Sequence, residues 1–138
     1  MIKNYGFAAV FFASSAIAAY NGLSSAAIKT DHLPLADALQ AHADEINKSR
    51  NRFGDATLER AFVRGNTIII DLIIRNAPDR YDVRATNARL QSNMESKFCR
   101  SSATPLLRRG AGLVFRFSTP GGRALMDGRV DASACRLT

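Results

Sequence analysis

Few residues in this 138-residue chain have the types and spacing that chemistry requires. There are two histidines. His32 precedes the first helical pattern. His42 falls on the apolar stripe of that pattern, the place of a hydrogen-bonded core or boundary imidazole rather than a ligand. No third His and no acidic cluster stands at metal-ligand spacing, so no metal site is expected. Asp44 and Glu45 are adjacent on a helix, where neighbouring side chains point apart. Neither Gly-x-Ser-x-Gly nor Gly-x-x-x-x-Gly-Lys occurs. Cys99 as a nucleophile would need a nearby base, and a disulfide would remove its thiol. Nothing assembles a nucleophile, a base and an orienting group, so the chain is read as non-catalytic and without a cofactor.

Binding chemistry is better represented. The net charge is +7, and it is lopsided. From Thr30 to Val83 nine acids face seven bases, whereas from Arg84 to Thr138 ten bases face three acids. The densest basic patch is Arg108-Arg109-Gly110-Ala111-Gly112. Its glycines would let backbone N–H groups approach an anion. With no following Lys or helix start, it reads first as a loop opening a strand. Arg108, Arg109, Arg116 and Arg123 are the candidate contacts for a partner or an anion, and Arg108 and Arg109 are expected to be exposed and unpaired. The competing reading is an ordinary solvated basic surface, because net charge governs association and solubility rather than a specific ligand.

The two cysteines, Cys99 and Cys135, are read as a disulfide if the chain is exported. Two buried thiols or a redox pair are the alternatives. The wide spacing is unlike Cys-x-x-Cys, which argues against redox chemistry.

Export is what the N-terminus predicts. Lys3 is followed by no charged residue until Lys29, and Gly6 to Ala19 is a compact apolar run ending in the Ala16-x-Ala18 spacing. This is the pattern of a secretory signal peptide, with cleavage after Ala18 or Ala27. A retained signal anchor is the alternative, since the uncharged stretch is long enough to span a bilayer, but Tyr20, Asn21, Gly22, Ser24 and Ser25 make its second half polar. Residues 1–27 are therefore assigned to the signal segment and 28–138 to one small domain. The expected location is periplasmic or secreted, with inner-membrane anchoring as the alternative.

The elements that position these residues follow from periodicity. Leu35, Leu39, His42 and Ile46 predict a helix opened by Pro34 and ending near Arg50. Asn51 to Asp55 reads as a turn. Thr57–Arg64 and Thr67–Arg75 flank Gly65-Asn66, a hairpin signal. The run Ile68 to Ile74 is apolar on both faces and predicts a central strand covered on both sides or at an interface. Asp71 inside it requires an Arg partner or an exposed edge. A second helix over about Asp82–Cys99 has the stripe Val83, Asn87, Leu90, Met94 and Phe98. Arg100 to Pro105 is a polar connection, with Leu106 and Leu107 packing beneath. Gly112–Ser118 alternates as a strand with Leu113, Phe115 and Phe117 on one face. Thr119 to Gly122 is a turn, and Arg123–Asp131 returns as the partner strand. The fold class is α+β: two helices on one face of an antiparallel sheet of about four strands, in the order α-β-β-α-β-β, with one disulfide.

Glu45-Ile46-Asn47, then Phe53-Gly54-Asp55-Ala56-Thr57-Leu58, a hairpin, a helix ending in Cys99, Gly110 to Phe117, Gly121-Gly122 and Cys135 together resemble a diffuse group of small exported proteobacterial proteins. The resemblance spans most of the chain after the signal segment. It implies export, a disulfide and the α-β-β-α-β-β order, and no catalytic residue carries over. The chain departs from the group in its Arg content and in having Phe115 and Phe117 where Tyr is common.

The expected function is binding of a macromolecular partner in the bacterial envelope, as an accessory subunit of a secretion or surface assembly or as a periplasmic inhibitor or immunity protein. The alternative is a polyanion-binding module, for anionic glycan, lipid or nucleic acid, built on the Arg-rich half.

Overall fold

The structure, a computed structural model, describes residues 32–49, 52–53, 56–100 and 104–137. The signal segment lies outside the described residues. The elements are α1 (Leu35–Ser49), β1 (Arg52–Phe53), β2 (Ala56–Arg64), β3 (Thr67–Ile74), α2 (Val83–Phe98), α3 (Thr104–Arg108), β4 (Gly112–Ser118) and β5 (Ala124–Val130). The α+β class and the α-β-β-α-β-β order of the main elements are as expected. The additions are two short ones: β1, within the expected turn, and α3, on the expected Leu106-Leu107 pair.

Helix α1 buries Ala38, Leu39, His42, Ala43 and Ile46, one stripe of a 3.6-residue period. On α2 the buried row is Thr86, Leu90, Met94 and Phe98. The expected stripe is thus correct from Leu90 onward and displaced by one residue before it, with Thr86 buried in place of Asn87. Val83 is 51 % exposed, and Asn87 faces the sheet edge instead. Asp82 caps α2 by accepting the Ala85 N–H at 3.0 Å.

The strands lie in the order β1-β2-β3-β4-β5. Neighbours are antiparallel except at the centre, where β3 and β4 run parallel. The reason is the connection: a single long helix between two strands returns the chain to the end from which the first strand began. A sheet of four hairpin-joined strands would need a turn there instead.

Both helices contribute to one core with the inner rows of the sheet, namely Leu58-Leu72-Phe117-Met126, Ala61-Ile70-Phe115-Gly128 and Val63-Ile68-Leu113-Val130. Phe98 meets Phe115 with centroids 5.7 Å apart. Helix α2 lies so close to β5 that a Cβ on Gly128 would stand 2.5 Å from Met94 Sδ and 3.1 Å from Leu90 Cγ. Cys99 and Cys135 form the disulfide, with Cα atoms 5.1 Å apart. The Asp131 carboxylate accepts the Ala134 N–H at 2.8 Å and so shapes the turn that presents Cys135.

The open edges of the sheet are occupied by side chains. An edge strand leaves every second residue's N–H and C=O unpaired. On β2, the Asn47 amide both accepts from Ala61 N (2.7 Å) and donates to Ala61 O (2.8 Å). On β5, Tyr81 donates to Leu125 O, Asn87 accepts from Asp127 N (3.1 Å), and Gln91 accepts from Arg129 N (2.9 Å) and donates to Arg129 O. The spacing matches: four helical residues advance about 6 Å, and two strand residues about 6.7 Å.

Candidate functional site: the open face of the sheet

The inner side chains of β2 to β5 alternate with an outer set. No outer residue of these strands belongs to the core that the helices share. Strand register places the outer residues in rows. One row reads Phe62-Ile69-Val114-Arg129, and the next reads Arg60-Asp71-Arg116-Asp127. Thr57, Ile73 and Ser118 form a third. A bulge between Leu58 and Arg60 sets this parity, turning Arg60 and Phe62 outward while Leu58 and Ala61 stay inward.

Asp71 is the hinge of the charged row. Its Oδ1 accepts from Arg116 Nε at 2.6 Å and its Oδ2 from Arg116 Nη2 at 2.8 Å, a bidentate pair, and Arg60 Nε adds a third contact at 3.3 Å. The Asp71 side chain is 13 % exposed. Burial alone would raise its carboxyl, but the hydrogen bonds and charges of Arg116 and Arg60 outweigh it and hold the carboxyl below the ordinary carboxylate range. The expected Arg partner of Asp71 is therefore present twice. In return Asp71 raises the Arg116 guanidinium.

Phe62 is the aromatic centre of the face. The guanidinium carbons of Arg60, Arg64 and Arg116 lie 4.5, 5.5 and 5.6 Å from its ring centroid, all within cation–π range. A groove of about 470 Å³ runs along the face toward β5, lined by Asp71, Arg116, Ser118 and Asp127 among others.

The four candidate arginines are not brought together. Only Arg116 lies on this face. Arg108 and Arg109 stand before the first residue of β4, and Arg123 stands beyond its last. Arg108 and Arg109 are exposed as expected, but Arg109 is not unpaired, because its Nη2 donates to the Leu33 carbonyl. Arg123 donates to the carbonyls of Pro78 and Asp79 at 3.4 and 3.5 Å.

The Gly110 segment is a helix stop. Gly110 N donates to Leu107 O and Ala111 N to Leu106 O, with Gly110 at φ 101°. This is the paired closure of a Schellman motif, and it requires the left-handed residue. Gly112 N donates to Asn66 O. All three amides are thus spoken for within the chain, and the segment opens strand β4 without an anion cradle.

His42 is buried in α1, and burial pushes its imidazole below the usual histidine value. Among the described residues no group of three or more His, Cys, Asp or Glu side chains is placed to hold a metal ion. Among them, too, no helix is long and apolar enough to cross a membrane. Sequence reasoning missed Phe62 and Val114 as half-buried residues of this face, flanking Ile69, which is itself 7 % exposed. The signal was a charge inside an apolar strand, which required cations at matching parity on both neighbours.

No protein-family model matches the chain, and no curated protein matches it. Two solved structures share its fold. One is a Pseudomonas aeruginosa protein inferred to be secreted, 23 % identical over 78 % of this chain and 97 % of that one, with a TM-score of 0.60. The other is the type II secretion system pilotin AspS from Vibrio cholerae, 17 % identical over 79 % of this chain and 99 % of that one, with a TM-score of 0.55. At these identities the likeness is one of fold.

Proposed function

We propose that this chain is a non-catalytic exported protein that binds a macromolecular partner in the bacterial envelope, as an accessory subunit of a secretion or surface assembly. The open sheet face carries this reading. It presents Phe62, Ile73 and Val114 between fixed charges, and no helix among the described residues packs on it. Apolar side chains framed by ordered charge suit protein recognition, the apolar part supplying affinity and the charges supplying register and partner choice. The pilotin fold supports a secretion assembly over an inhibitor or immunity role. Against the polyanion alternative, Arg109, Arg116 and Arg123 are already hydrogen-bonded within the chain and lie in different places, and the arginines that do converge on Phe62 share their face with Asp71, which pairs with Arg60 and Arg116.

The test is site-specific photo-crosslinking in the native envelope. A crosslinking residue at position 62 or 114 should yield a discrete adduct with a second protein, distinct in mass from any homodimer, and one at Arg84 on the exposed side of α2 should yield none. Equal labelling at all positions, or adducts only with anionic polymer, defeats the proposal.

A further inference from the structure

The charged row Arg60-Asp71-Arg116-Asp127 reads + − + − across four strands. An alternating row of even length becomes its own complement when reversed. We propose that the open face pairs with the same face of a second copy about a two-fold axis that runs along the strands between β3 and β4. The two-fold keeps each residue in its row and reverses the strand order. Arg60 then faces Asp127 of the second copy, and Asp71 faces the second copy's Arg116. The central four charges form an alternating square in which every carboxylate has guanidinium neighbours in both chains, which is the condition for ionic groups to be tolerated at an interface.

The neighbouring row obeys the same operation. Phe62 meets the second copy's Arg129, a further cation–π contact, and Val114 lies opposite the second copy's Ile69, which is only 7 % exposed in its own chain and adds little area. Ile73 meets Ser118. No like charges are opposed in either row. An isologous contact is the commonest form of self-association, and it needs a patch that complements itself in this way. Two twisted sheets also pack face to face with nearly aligned strands.

The size of the face sets the strength. Four strands of about seven residues cover roughly 450 Å², short of the roughly 800 Å² per partner of a standard stable interface. The dimer is therefore weak and reversible, at the small end of specific interfaces. This inference goes beyond the envelope-binding reading and uses the same surface. A weakly paired copy shields the face and yields it to a tighter partner.

The experiment uses the purified exported protein in sedimentation equilibrium at low and high salt. The wild type should show a reversible monomer–dimer equilibrium that weakens as salt rises. Arg60→Glu opposes the introduced acid to Asp127 of the second copy, and Asp127→Arg opposes the introduced base to Arg60. Each alone should weaken self-association at least about tenfold. An equimolar mixture of the two should associate to within about threefold of the wild type, because each introduced charge then faces its opposite. That rescue also shows that both variants are folded. A wild type that stays monomeric at about 500 µM overturns the proposal, as does a mixture that associates no better than its components. A monomeric wild type that still gives the envelope adduct from position 114 defeats only the dimer and leaves the envelope-binding reading standing.

Discussion

Arg116 and Asp71 together hold the centre of the open face. Arg116→Ala leaves Asp71 with only the longer Arg60 contact and should cost about 1–2 kcal/mol, read by chemical denaturation, since the lost hydrogen bonds are charged and partly exposed. The pH dependence has a defined sign. Asp71 titrates below its unfolded value, so its contribution is present above the ordinary carboxylate range and is lost as pH falls through the lowered folded value. The variant should lose that part of the acid limb, and an unchanged acid limb would mean that Asp71 is not the group responsible. Two backbone positions make equally sharp demands. Gly128→Ala drives a methyl into Met94 and Leu90 and should destabilise by about 1–3 kcal/mol. Arg136 is the one described non-glycine residue at positive φ, 55°. Arg136→Gly relieves that conformation and should stabilise by about 1 kcal/mol in the same assay.

At the scale of elements, the amides that cover the sheet edges matter more than their number suggests. Asn87→Ala with Gln91→Ala removes cover from two successive positions of β5 while leaving the α2 core row intact. The expected result is a modest stability loss and a marked rise in aggregation at a given fraction unfolded, followed by light scattering, because an uncovered edge templates strand addition. The elements themselves were largely legible. Gly112–Ser118 was placed to the residue because its alternation is clean and its bounds are glycine and a Pro-Gly-Gly turn. The start of α2 is not, because Asn87 and Val83 lie about one and two turns before Leu90 on a helical pattern, and periodicity cannot tell a core position from one that turns an amide to a strand edge. The parallel pairing of β3 with β4 was hidden for a related reason. Local patterns report each strand's faces, while neighbour direction depends on where a connecting helix delivers the chain.

Over the whole molecule, the Cys99–Cys135 bond ties the end of α2 to the turn beyond β5. Closing that loop stabilises the fold by about 4 kcal/mol in the chain-entropy model. Reduction, or Cys135→Ser, should lower the thermal midpoint by well over 10 °C for a domain of this size, and a shift of only a degree or two would mean that α2 and β5 hold together without it. The site was less legible than the fold. Asp71 announced its need for arginine, yet Val114 is distant in the chain from Phe62 and Ile69, and only strand register sets the three side by side. Arg108 and Arg109 are the reverse case: their density is plain in the sequence, but Arg108 ends the short helix Thr104–Arg108 and Arg109 follows it, so the pair leads into a Schellman stop.

The parallel seam has a kinetic side. Each hairpin, β2/β3 and β4/β5, joins strands through a short turn and forms quickly. The seam pairs Thr67 with Gly112, a closure that spans all of α2 and α3 and that the disulfide does not shorten, because Cys99 lies within that span and Cys135 beyond it. Loop-closure entropy makes such non-local pairing slow. Two preformed ribbons meeting late along β3 and β4 is thus the folding route this topology favours. Truncating Ile70 or Phe115, which face each other across the seam, should slow folding, because their contact is made in the slow step.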